Sequence, residues 1–237
     1  MWSFRVEGKP SVIALGGAPL HEKPYTLKSI IKALELGASA IYLTVYLTKD
    51  EIPIALPTDD LSKVYGVEGK VSSLNVGEVR NYALKVGGEV LLIGDVVKVV
   101  KGKAKLVIGL GHEDLKSLTR VLDVVQSSNY IGNSGIVIHE PMSAKAVRDK
   151  YKGVKVILYL SNPYPNLAAI KRLGINAILM PYSLIRSRVV KEAHARGIEV
   201  AAMTVNDPAV YVRLVSLGVD AIVTERPEIA REAEGLI

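Results

Sequence analysis

The stretch Leu217–Glu225 reads LGVDAIVTE, and the same phrase occurs twice more, as LGASAIYLT from Leu36 and as LGINAILMP from Leu173. In each copy an amphipathic run closes on Leu-Gly, two residues pass, and an apolar strand begins at alanine. Glycine suits that place because a helix C-cap commonly takes left-handed backbone. A looser version of the same grammar runs through SGIVIHEP from Ser134, GVKVILYLS from Gly153 and RGIEVAAMT from Arg196. The phrase is the junction of a helix with the strand that follows it, so its repetition describes a chain of alternating α/β units.

Working outward from these junctions, the apolar runs predict eight strands: Val12–Leu15, Ala40–Val45, Lys105–Leu110, Gly135–His139, Lys155–Leu160, Ala177–Met180, Glu199–Thr204 and Ala221–Thr224. Helical periodicity falls between most of them, as in Leu27–Leu36, Glu113–Ser127, Ser183–Ala195 and Pro208–Leu217. Continuous apolar strands alternating with helices imply parallel pairing with both sheet faces covered. Eight such units in 237 residues fit a TIM (β/α)8 barrel, with a doubly wound open sheet as the other arrangement. No linker or composition break divides residues 1–237, so a single domain is expected. After AIYLTVYL the charged turn TKDE leads into IPIAL, which reads as an extra strand folded back over the barrel mouth. Residues 66–103 then read as a long irregular connection with short helical patterns.

Composition narrows the function classes. Hydrophobic residues make up 49% of the chain, which allows an extensive core. No apolar run approaches a membrane span, and the opening MWSFRVEGKP lacks a signal-peptide core, so a cytoplasmic protein is expected. The absence of cysteine excludes disulfides, thiolate metal sites and a cysteine nucleophile. A single glutamine with abundant Val, Ile, Lys and Glu gives a thermophile-like composition. The net charge of +6 is spread along helices apart from KVVKGKAK, Lys98–Lys105. With one Phe, one Trp and no nucleic-acid module, that stretch reads as solvated lysines, and no nucleic-acid partner is expected.

Ser11–Leu20, SVIALGGAPL, is a buried strand leaving through a glycine pair toward the end of the barrel where sites form. The residue at its tip is Leu15, which neither titrates nor chelates. Together with LGASAIYLTVYLTKDEIPIAL, EVAAMTVNDP and LGVDAIVTERP, in the same order and nearly end to end, it resembles the glycerophosphodiester phosphodiesterase family. That resemblance implies a (β/α)8 barrel with an insertion after the second barrel strand. It also implies hydrolysis of glycerophosphodiesters by a divalent metal on carboxylates, two histidines as acid and base, and cations on the phosphate. Carried over by position, these roles land elsewhere. The family's His-Arg-Gly falls on Leu15-Gly16-Gly17, its Glu-x-Asp on Tyr42-Leu43-Thr44, its His-Asp on Pro57-Thr58 and its Glu-x-Lys on Gly109-Leu110-Gly111. The aromatic that usually precedes Thr-Val-Asn is Met203. A hard dication needs several oxygen ligands, normally including carboxylates, and two acid–base groups are absent as well. The resemblance therefore implies a barrel with a degenerate site, acting as a binding, regulatory or structural protein, with no catalytic residue and no metal at the family positions. The alternative is a divergent phosphoric diester hydrolase of lipid metabolism working through a rebuilt site, and only that alternative needs a divalent metal.

Candidates for a rebuilt site lie at predicted strand ends. His112-Glu113 follows the third barrel strand, where Glu113 also suits a helix start, and His139-Glu140 follows the fourth, where it also suits a helix entry. Asp59-Asp60 has the chemistry of metal ligands and equally that of a helix N-terminus. His21 and Glu22 read as loop residues, and His194 as a cation near a helix C-terminus. Tyr42, Thr44 and Tyr46 share one strand face by period two. Opposite them Gly16, Gly109 and Gly111 remove bulk, so either Tyr42 fills the mouth or a hydroxyl-lined cleft survives for a small-molecule ligand. Tyr182, Thr204 and Asn206 are the further candidates to line it, although Asn206-Asp207-Pro208 is also a good helix cap.

Overall fold

The computed structural model describes residues 2–234. In chain order the strands are β1 (Arg5–Val6), β2 (Lys9–Leu15), β3 (Ala40–Leu47), β4 (Pro53–Ala55), β5 (Leu91–Leu92), β6 (Lys105–Leu110), β7 (Ser134–Ile138), β8 (Lys155–Tyr159), β9 (Ala177–Pro181), β10 (Glu199–Met203) and β11 (Ala221–Thr224). The helices are α1 (Leu27–Glu35), α2 (Leu61–Tyr65), α3 (Val76–Lys85), α4 (Ile93–Val100), α5 (Leu115–Ser127), α6 (Ser143–Lys150), α7 (Leu167–Arg172), α8 (Ser187–His194), α9 (Pro208–Leu217) and α10 (Ile229–Ala233).

Eight parallel strands run β2-β11-β10-β9-β8-β7-β6-β3, and β3 closes on β2 with Leu15 opposite Tyr42. This is the closed barrel that the repeated junctions predict. The repeat does its work at the glycines: Gly37, Gly174 and Gly218 sit at φ +106°, +73° and +89°, turning each helix back toward its strand. The helices start where side chains satisfy free N–H groups. Thr26 accepts from Ser29 N in α1, and Asp207 accepts from Ala209 N ahead of Pro208 in α9.

Outward-facing strand residues such as Val12, Ala14 and Ile41 join the helices in one large core. Inward-facing residues, among them Ile13, Ala40, Tyr42, Val107, Ile157 and Leu179, fill the barrel itself. Phe4, fully buried, belongs to this inner cluster and closes the barrel base beneath the strand starts.

The extra strand lies where the sequence predicts: β4 runs antiparallel to the far end of β3, with Val45 opposite Ala55 and Leu47 opposite Pro53. Three segments differ from expectation. Residues 66–103 are more ordered than predicted, because a capping box of Asn75 and Glu78 starts α3, and Leu91 and Leu92 extend the sheet before α4. Helix α5 opens at Leu115 rather than Glu113, because Asp114 accepts from Ser117 N at 2.7 Å and is the cap. Helix α8 is shorter than Ser183–Ala195, because residues 182–184 form a separate 3-10 turn and Arg186 is extended. No helix among the described residues is long and apolar enough to cross a membrane.

Candidate functional site

At the C-terminal end of the barrel, three glycines each lie under a tyrosine. A Cβ at Gly109 would stand 2.3 Å from the Tyr42 hydroxyl oxygen, one at Gly111 1.9 Å from the Tyr46 ring, and one at Gly16 2.7 Å from the Tyr25 ring. None of these spaces admits a larger side chain while its tyrosine stays in place. Gly109 and Gly111 are required for room; Gly16, at φ +69°, is required for backbone conformation as well. These three glycines stand where the resemblance expects an arginine, a glutamate and a lysine.

Tyr42 comes from the middle of β3, points into the barrel and is 8% exposed, packed in the cluster that Leu15, Tyr159 and Met203 border. Burying a side chain of this size contributes roughly 1.5–3 kcal/mol. Thr44, two residues on, faces Tyr25, whose hydroxyl donates to Thr44 Oγ1 at 3.3 Å. Tyr25 reaches this place from the loop after β2. Its left-handed backbone, φ +58°, is held by its own N–H donating to Gly16 O at 2.8 Å. Burial pushes the Tyr42 phenol well above its ordinary value, with Tyr25 and Tyr159 adding to the effect. Burial likewise raises Tyr25, against the opposing hydrogen bonds to Thr44, and raises Tyr46, beside the Asp59 carboxylate. All three therefore remain neutral O–H groups through the physiological range.

The adjacent pairs picked out in the sequence do not act as pairs. Glu113 turns away from His112 and accepts three hydrogen bonds from the next loop: His139 N at 2.6 Å, His139 Nδ1 at 2.9 Å and Glu140 N at 3.1 Å. The imidazole of His139 tilts against the Tyr159 ring, with centroids 5.1 Å apart. His112 turns instead to Asp59, with Nε2 to Oδ2 at 3.3 Å, and stands edge-on to Tyr46. The Glu140 side chain is exposed. Asp60 caps α2 by accepting from Ser62 N at 3.0 Å, while Asp59 accepts from Ser72 N at 3.3 Å. Pro57 is exposed at the rim.

On the opposite side Asn206 is left to side-chain contacts because Asp207 takes the helix cap. Its Nδ2 donates to Glu225 at 2.7 Å, and its Oδ1 accepts from Thr224 Oγ1 at 3.1 Å and Glu225 N at 2.9 Å. Thr204, half-buried, follows β10, and Tyr182 lies 37% exposed in the turn after β9. His21 pairs with Glu228 at 3.1 Å. His194 reaches Asp220 at the barrel base rather than helix carbonyls.

Among the described residues no three His, Asp or Glu side chains gather as metal ligands. The donors facing the barrel axis are neutral hydroxyls, which hold a hard dication weakly. Two contributors escaped sequence reasoning: Tyr25, whose position depends on an unusual backbone conformation, and Tyr159, which reads as an ordinary strand end. The glycines were the available signal for both Tyr42 and Tyr46.

A sequence profile of the glycerophosphoryl diester phosphodiesterase family matches residues 21–229. The chain is 23% identical over 240 aligned residues to the glycerophosphodiester phosphodiesterase of Caldanaerobacter subterraneus, covering 93% of this chain and 96% of that one. Among solved structures, a putative glycerophosphoryl diester phosphodiesterase from Silicibacter pomeroyi superposes with a TM-score of 0.85 at 18% identity, over 98% of this chain and 95% of that one. An Oleispira antarctica phosphodiesterase, solved with its product sn-glycerol-3-phosphate, gives 0.84 at 17% identity, over 96% and 97% of the two chains. These structural likenesses are of fold; the profile match, spanning most of the barrel, is of family, and the chain belongs to the glycerophosphoryl diester phosphodiesterase family.

Proposed function

We propose that this cytoplasmic family member has lost phosphodiester hydrolysis and keeps its mouth as a neutral, tyrosine-lined surface that takes an uncharged small molecule in a binding role. The observation that carries the reading is the packing of Tyr42 against Gly109. A carboxylate at 42 and another at 109 would be the core of a metal site; here one position is a buried phenol and the other has no room for any side chain beneath it. The two replacements are sterically matched, so neither position returns to metal chemistry alone. Phosphoryl transfer also relies on cations to stabilise charge on the transferring oxygens. The Arg226 guanidinium, in the loop after β11, is committed to Glu232 at 2.7 Å and to Asn206 O at 3.1 Å.

The test is hydrolysis of a glycerophosphodiester panel by purified protein with calcium, magnesium or manganese. The expected result is no release of glycerol phosphate above a metal-free blank. Metal-dependent turnover that disappears in a His139→Ala, Glu140→Ala variant would overturn the reading in favour of a rebuilt phosphodiesterase site in lipid metabolism.

A further inference from the structure

Each of the four histidines contacts one carboxylate, but they do so through different nitrogens. His21, His112 and His194 use Nε2, toward Glu228, Asp59 and Asp220 respectively. His139 alone uses Nδ1, toward Glu113. An ionised carboxylate only accepts, so Nδ1 carries a proton, and in the neutral imidazole Nε2 is then the nitrogen with the lone pair. This is the arrangement of a base oriented by a third group. Glu113 is itself held firmly in place, since its side chain is 12% exposed and also receives two backbone N–H groups, from His139 and Glu140. The imidazole is 55% exposed at the rim and leans on Tyr159. Tyr159 in turn packs against the inner cluster that contains Tyr42.

We propose that His139, positioned by Glu113, is a general base for hydrolysis of an uncharged carboxylic ester at the barrel mouth. The proposal rests on the reading of the mouth as uncharged. Acyl transfer suits such a site because it needs a base and neutral hydrogen-bond donors for the developing oxyanion, whereas phosphoryl transfer needs cations. In the first step a water oxygen bonds to the ester carbonyl carbon as its proton passes to His139 Nε2, and the carbonyl oxygen takes the electron pair with the hydroxyl of Tyr159, the tyrosine beside His139, as neutral donor. In the second step that pair returns, the bond to the alcohol oxygen breaks, and Nε2 gives its proton to the leaving alcohol. The net change is ester plus water to carboxylic acid plus alcohol. Met142, 74% exposed on the loop that carries His139, and Tyr164, 84% exposed on the loop after neighbouring β8, offer apolar surface on this side of the rim for the acyl chain.

The full chain is assayed with p-nitrophenyl acetate and p-nitrophenyl butyrate, and with bis(p-nitrophenyl) phosphate plus manganese. Ester turnover is expected, with kcat/KM higher for butyrate and at least tenfold lower in His139→Gln, the low end of general-base effects of about 10²–10⁴ being discounted for an exposed site. His21→Gln, His112→Gln and His194→Gln are expected to stay within about twofold of the parent, a bound set by that same contrast. Glu113 is a positioning residue, so Glu113→Ala is read by long-range 1H–15N spectra: the parent shows His139 protonated at Nδ1 alone, and the variant shows the proton shared between both nitrogens. A measurement on the unaltered protein guards against misfolded variants: diethyl pyrocarbonate is expected to modify His139 before the other three histidines. The proposal is overturned by an absence of ester turnover, by turnover unchanged in His139→Gln, by a proton on Nε2 in the parent, or by carbethoxylation of His139 no faster than of the others. Manganese-dependent cleavage of the phosphodiester would instead break the reading of the mouth and leave the ester result standing.

Discussion

The two ends of this barrel handle charge in opposite ways. At the mouth the inward-facing groups are neutral: Tyr25, Tyr42 and Thr44, with tyrosines seated on glycines. At the base the charges stay and are matched. The Lys155 ammonium, 2% exposed, pairs with Glu199, donates to Trp2 O at 2.9 Å and lies over the rings of Phe4 at 4.6 Å and Trp2 at 5.1 Å. Alongside it Asp220 accepts from Arg5 Nε at 2.8 Å, His194 Nε2 at 2.7 Å and Val200 N at 2.8 Å. The base is tied through fixed ion pairs to the N-terminal segment, a structural use of charge. In the mouth Tyr25, Tyr42 and Thr44 need no counter-ion. Stability and function are commonly divided this way between barrel ends, and here the buried ammonium of Lys155 lies on the stability side.

The contrast breaks most readily at Glu199. Glu199→Ala leaves the buried Lys155 ammonium without its carboxylate and is expected to destabilise by about 3–5 kcal/mol. Lys155→Met is expected to be milder, since Glu199 is already 24% exposed and reaches water. Denaturant unfolding of both variants checks the order; equal losses would mean that packing, not the unpaired charge, dominates at the base.

Next in size is the mouth. Gly109→Ala is expected to destabilise by roughly 1–3 kcal/mol through overpacking against Tyr42. Tyr42→Phe removes the nearest atom, so the double variant should recover part of that loss, a coupling that a double-mutant cycle measures directly. Additive effects would show that Tyr42 swings away from Gly109 freely.

Alkaline pH sharpens the same point. Tyr42 and Tyr25 have folded values above the ordinary 10, and burial raises Tyr65 to about 12. An acid whose folded value is raised contributes its full stability below the unfolded value, and loses it as pH climbs toward the folded one. Stability is therefore expected to fall as pH rises past about 10, the ordinary tyrosine value. Absorbance of phenolate should show buried tyrosines ionising together with unfolding. Independent early ionisation of all eleven tyrosines would contradict their burial. The smallest effect is expected from Thr44→Val, which removes the acceptor of the 3.3 Å Tyr25 bond for about 0.5–1 kcal/mol in thermal or denaturant unfolding.

Local pattern carried much of this molecule. The Leu-Gly junction predicts the helix ends because left-handed backbone favours glycine, and Gly218 sits at φ +89° as that reasoning requires. Strand interiors, the antiparallel β4 and the cap at Asp207 follow from residue type and period in the same way. Gly16, Gly109 and Gly111 pointed to missing bulk, and period two placed Tyr42, Thr44 and Tyr46 on one face.

Tertiary contacts settled what those patterns left open. Whether Glu113 starts a helix or buttresses His139 depends on the neighbouring loop, which lies 26 residues along the chain. Lys155, at a strand start, carries no sequence mark of burial; Phe4 and Trp2 cover it from the far end of the chain. Tyr25 covers Gly16 from later in the same loop, where its N–H donates to Gly16 O and its backbone is left-handed. Periodic, near-neighbour features were legible in residue order alone, since backbone conformation and face alternation act over a few residues. Which nitrogen of His139 faces Glu113, which lysine is buried and which tyrosines meet Gly109 and Gly111 followed only from closure of the barrel, because those depend on contacts between segments distant in sequence.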